Sequence, residues 1–93
     1  MNEINVVVSN HEKNITKEIK EILNAQSNIN VVGYAYDGER TMELIKEKRP
    51  TVVILDPFLS GVDGIGVMER VKETKDRNVK YLVTTKKGQE KNI

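Results

Sequence analysis

A carboxylate that closes a wholly apolar strand is costly unless it is solvated, hydrogen-bonded or bound to a cation. Asp56 is in that position, directly after Val52, Val53, Ile54 and Leu55. It is the strongest candidate for chemistry in the sequence, and turn formation before Pro57 is the alternative. Asn10 and His11 follow an earlier apolar run, and Thr84 and Thr85 follow a later one. His11 could donate a proton, contact an anion or ligate a metal. It is also the single histidine of the chain, and a helix-entry role with one hydrogen bond competes with all three. Asp63 and Gly64 read as a structural turn, the aspartate capping a helix and the glycine permitting a tight entry. Asp37 and Gly38 form another turn, and Gly33 interrupts a strand without naming a ligand.

Several chemistries are excluded or weakened by composition. There is no cysteine, so disulfides, thiolate catalysis and sulfur ligation of zinc are ruled out. Phosphate-loop, dinucleotide-binding and serine-histidine-acid patterns are missing. With 15 basic and 14 acidic residues and a net charge of +1, no strong field advertises nucleic acid or a membrane, and a protein or small-ligand partner is expected. No apolar run approaches membrane-spanning length and the start lacks a signal-peptide core, so a cytoplasmic location is expected.

The elements that position these residues follow from periodicity. Residues 4–8 predict a buried strand, and residues 12–25 a helix turning Ile15, Ile19, Ile22 and Leu23 inward. After a polar loop at 26–30, a second strand covers 31–35. A second helix over 39–48 buries Met42 and Ile45, with Leu44 near the same edge, and ends before Pro50. Residues 51–55 form the third strand, apolar throughout as a central parallel strand requires. Beyond the loop at 57–64, Ile65, Met68 and Val71 mark a third helical stripe. Asp76, Arg77 and Asn78 separate it from a last strand at 79–83, and residues 86–93 carry no assignment. The alternation predicts one α/β domain over 1–93, with a parallel sheet and helices on both faces. Ligands of such sheets bind beyond the carboxyl ends of the strands, where Asn10, His11, Asp56 and Thr84 fall.

This order, with the loop Asp56-Pro57-Phe58-Leu59-Ser60-Gly61-Val62-Asp63-Gly64, resembles the bacterial response-regulator receiver family. Val31-Val32-Gly33-Tyr34-Ala35, Asp37-Gly38, Lys46-Glu47-Lys48, Val53-Ile54-Leu55-Asp56 and Gly88-Gln89-Glu90 resemble the receivers of sporulation regulators in particular. The resemblance implies a three-layer, doubly wound, flavodoxin-like sheet, here lacking its fifth strand and final helices. It implies that Asp56 is the phosphoacceptor and that Thr84, rather than Thr85, contacts the phosphoryl group and acts as the switch. A histidine kinase or phosphotransfer protein would be the partner. In the family two acidic residues follow the first strand and hold Mg²⁺; here Asn10 and His11 stand there, an altered acidic pocket that leaves Asp56 as a weak metal ligand. The family's lysine on the fifth strand has no counterpart that can be assigned to Lys86 or Lys87.

Three functions follow. The chain is expected to be a degenerate or truncated receiver, a non-enzymatic regulatory module that works through protein contact. Alternatively it accepts a phosphoryl group on Asp56, or is a sensory piece of a DNA-binding regulator whose DNA contacts lie elsewhere. An open sheet edge adds the expectation of a homo-oligomer.

Overall fold

A computed structural model describes residues 3–74 and 78–84. Asp76, Arg77, Thr85, Lys86, Lys87 and the rest of residues 86–93 lie outside the described residues. The element order is β1 (Ile4–Ser9), α1 (Lys13–Asn24), β2 (Ile29–Ala35), α2 (Gly38–Lys48), β3 (Val52–Leu55), α3 (Gly64–Lys72) and β4 (Lys80–Val83).

The four strands form one sheet in the order β2-β1-β3-β4. All its pairings are parallel, with Val7 beside Val53 and Val53 beside Tyr81. Alternation of side chains across the pleat then divides the core in two. Val6, Val8 and Ile54 face α1, where Ile19 and Leu23 pack on them. Val7, Val53 and Leu55 face the other way and meet Leu44 and Ile45 of α2 and Val67 and Val71 of α3. The result is the three-layer arrangement expected from the sequence, the flavodoxin-like order of receivers.

The inward faces of the helices differ from expectation in particular residues. Ile22 is 65% exposed and Ile65 55% exposed. Thr16, Ile19 and Leu23 turn toward the sheet, and since adjacent helical residues point about 100° apart, Ile22 is carried off that face. In α3 the buried residues are Gly64, Val67 and Val71, a stripe that excludes Ile65 for the same reason. In α2 Thr41 and Leu44 are buried while Met42 is only partly so. Strand β2 starts at Ile29 rather than at residue 31, because Ile29 and Asn30 pair with Ile4 and Asn5.

Turn chemistry anchors the loops beside the site. The Asp37 and Asp63 side chains accept from the N–H groups of Arg40 and Gly66, each at 2.8 Å, capping α2 and α3. Helix α2 ends on Arg49 in the left-handed region, φ 48°, just ahead of Pro50.

Candidate functional site at the carboxyl edge of the sheet

The parallel register brings the candidate residues to one edge. The backbone N–H of Asn10 donates to the carbonyl of Ala35, that of Asp56 to Ser9 and that of Thr84 to Leu55. Asn10, Asp56 and Thr84 thus each leave the end of a strand, and Thr84 sits one step across the sheet from Asp56.

Asp56 is 3% exposed, so its carboxylate needs partners within the protein. One oxygen, Oδ1, accepts from the Phe58 N–H at 2.9 Å. The other, Oδ2, accepts twice from His11, from the backbone N–H at 3.0 Å and from ring Nδ1 at 2.5 Å. Burial by itself pushes the Asp56 pKa up. The two bonds from His11, the Phe58 N–H and the attraction of the imidazole together outweigh burial and hold it below the ordinary carboxylate value. Asp56 is therefore an ionised group whose charge is already met on both oxygens.

Asn10, 6% exposed, is committed elsewhere. Its Oδ1 accepts from the Glu12 N–H at 2.8 Å, closing the turn that leads into α1. Thr84 lends its hydroxyl to the Leu55 carbonyl at 3.4 Å. Gly64 sets the distance between α3 and the site loop: a Cβ added there would lie 2.6 Å from the Asp56 carbonyl oxygen and 2.7 Å from Pro57 Cα. Beneath the edge, the Thr41 hydroxyl donates to the Asp37 carbonyl at 2.7 Å, which leaves it to accept the Ser9 hydroxyl at 2.7 Å.

The sequence marked Asp56, Asn10, His11 and Thr84 as neighbours but not the pairing of His11 with Asp56. Neither the Phe58 amide nor the Ser9–Thr41 pair was foreseen. An amide contact to a carboxylate two residues back is a common Asx arrangement after an aspartate; the Ser9–Thr41 bond has no local signal.

Magnesium, which receivers bind at an acidic pocket, asks for several oxygen donors in octahedral geometry. The donor set here is a poor match. The Asn10 oxygen is engaged in the turn, His11 offers nitrogen and spends Nδ1 on Asp56, and among the described residues no group of three acidic, histidine or cysteine side chains could hold a metal.

Comparison with known proteins agrees with the fold. The NarL signal receiver domain of Mycobacterium tuberculosis is 27% identical with a TM-score of 0.84, over 95% of this chain and 73% of that one. The response regulator domain of Thermotoga maritima CheB is 23% identical with a TM-score of 0.81, over 87% of this chain and 59% of that one. The REC domain of AraT, a response regulator from Geobacillus stearothermophilus, is 23% identical with a TM-score of 0.73, over 94% of this chain and 85% of that one. The sequence model of the response regulator receiver domain matches residues 6–93, and with the strand order and the aspartate at the end of β3 it shows that this chain belongs to the response-regulator receiver family.

Proposed function

We propose that this chain is a regulatory receiver module that signals through protein contact, with Mg²⁺-dependent phosphoryl transfer to Asp56 weakened or lost. The observation that carries this reading is the capture of Asp56 by His11 through two bonds to one oxygen. A cation would have to displace both without gaining the paired carboxylates that normally offset its desolvation. The partners are a histidine kinase or phosphotransfer protein and a second copy of the chain, in the cytoplasm. The sequence phrases shared with sporulation regulators point to that signalling context. Among the described residues no helix is long and apolar enough to cross a membrane.

Calorimetric titration with Mg²⁺ tests the reading. The expected result is weak binding by the natural chain, and binding at least about tenfold tighter once Asn10→Asp and His11→Asp restore the carboxylates. Saturable micromolar binding by the natural chain, abolished by Asp56→Asn, overturns it.

A second reading, in which Asp56 accepts a phosphoryl group and Thr84 contacts it, is supported by their adjacency across β3 and β4. Rapid, stoichiometric, Mg²⁺-dependent modification of Asp56 favours it. Slow modification with little dependence on Mg²⁺ favours the first.

A further inference from the structure

The contact that occupies Asp56 also prepares a second nucleophile. An imidazole held through Nδ1 by a carboxylate keeps a proton on that nitrogen, so that in the neutral ring Nε2 carries the lone pair, and histidine so oriented can form covalent intermediates. Nδ1 of His11 lies 2.5 Å from Oδ2 of Asp56. The side chain of His11 is 34% exposed against 4% for Asp56. Among the described residues Nε2 of His11 makes no hydrogen bond, and the backbone N–H of His11 is tied to the same Asp56 oxygen, which fixes the main chain under the ring. Asp56 is the poorer nucleophile of the two, since both of its oxygens accept hydrogen bonds and it is buried.

We propose that His11, through Nε2, is a phosphoryl acceptor, with Asp56 as the positioning residue that fixes the tautomer. The inference rests on the reading that His11, not a metal, holds Asp56. The donor is a compound with a phosphorus–nitrogen bond, the chemistry that a partner's phosphohistidine or the small molecule phosphoramidate supplies. With zwitterionic phosphoramidate, the Nε2–P bond forms as the P–N bond breaks and neutral ammonia departs. The ring gains one positive charge, carried by Nδ1–H against the Asp56 carboxylate, so charge and protons balance without a metal. Helix α1 starts two residues further on. Its N-cap is the exposed Glu12, whose side chain makes no capping bond, and its first turn carries no acidic side chain, so the positive end of α1 sits close in sequence to the added phosphoryl group, with the one carboxylate of Glu12 beside it.

The experiment treats the full chain with phosphoramidate in the presence of EDTA and reads intact mass, then tandem mass spectrometry of peptides. One added phosphoryl group is expected on His11, stable in alkali and lost in acid as a phosphorus–nitrogen bond is. His11→Gln should abolish it. Asp56→Asn, which keeps an acceptor for Nδ1–H but not the charge, should slow it by about tenfold. Circular dichroism establishes that each variant is folded, and the peptide map of the natural chain locates the group even where a variant is not. An alkali-labile phosphate on Asp56 under EDTA overturns the inference and leaves the preceding reading standing, as does no modification at all. A phosphate on Asp56 that appears only with Mg²⁺ overturns both.

Discussion

His11 and Asp56 are 45 positions apart, and only the sheet brings them together. The residue types at each position were legible because β1 and β3 end in polar residues after unbroken apolar runs. The bond between them was not, since nothing in spacing says which way an imidazole turns. Its consequence for stability has a definite sign. The Asp56 pKa is lowered in the folded state, so the unfolded chain binds more protons and stability rises with pH through that range. The contribution of Asp56 is fully present above its unfolded value of roughly 4 and is lost as pH falls through the lower folded value. Urea unfolding at a series of pH values should show a steeper loss below about pH 4 for the natural chain than for Asp56→Asn. Equal slopes would mean that the His11 contacts do not stabilise the carboxylate. The buried Ser9–Thr41 pair offers a second contrast at this scale. Thr41→Val strands the Ser9 hydroxyl and removes one of the two bonds that the Asp37 carbonyl accepts, the backbone N–H of residue 41 remaining, and should cost about 1–3 kcal/mol in urea unfolding. Ser9→Ala leaves the bond from Thr41 to Asp37 intact and should cost less.

At the scale of elements, strands read more directly than helix faces. Short continuous apolar runs rich in β-branched residues and bounded by polar ones read as buried strands by length and composition, and β1 and β3 differ from expectation by one residue at an end. A helix face depends on where the sheet lies, and α1 and α3 each present one more apolar residue than the sheet covers, Ile22 and Ile65. The entry to α3 separates two structural roles. Asp63→Ala removes one capping bond and should destabilise by about 1 kcal/mol. Gly64→Ala places a Cβ against the backbone of Asp56 and Pro57, which no side-chain rotation can relieve. It should destabilise by about 1–3 kcal/mol and disturb the Asp56 loop, visible as chemical-shift changes at His11 and Phe58. If Gly64→Ala were the milder of the two, the close approach of α3 to the site would be wrong.

Across the whole molecule, the two layers of core are unequally covered. Tyr81 and Val79 of the β4 region pack onto the core shared by α2 and α3. The Tyr81 hydroxyl is nonetheless buried without a hydrogen-bond partner among the described residues. On the opposite face Leu82 is 60% exposed, and Val83, on the face of Tyr81 at the strand end, is 44% exposed. Among the described residues no further strand pairs with the outer edge of β4. In β4 only Lys80 carries a charge that discourages pairing. An apolar parallel edge of this kind is stabilised by another chain, and a closed twofold dimer is the commonest symmetric solution. Sedimentation equilibrium across micromolar concentrations should therefore give a dimer. Leu82→Lys with Val83→Lys should shift it to monomer while leaving the helical circular dichroism in place, because neither side chain belongs to the buried core. Tyr81 is the wrong residue for that test, since its ring packs inward and a lysine there would unfold the chain and dissociate it together. Lys17→Ala, on the exposed surface of α1, should change the equilibrium little. A cooperative monomer at every concentration would place the cover of Leu82 within the chain itself, and the double lysine variant would then lower stability without changing mass.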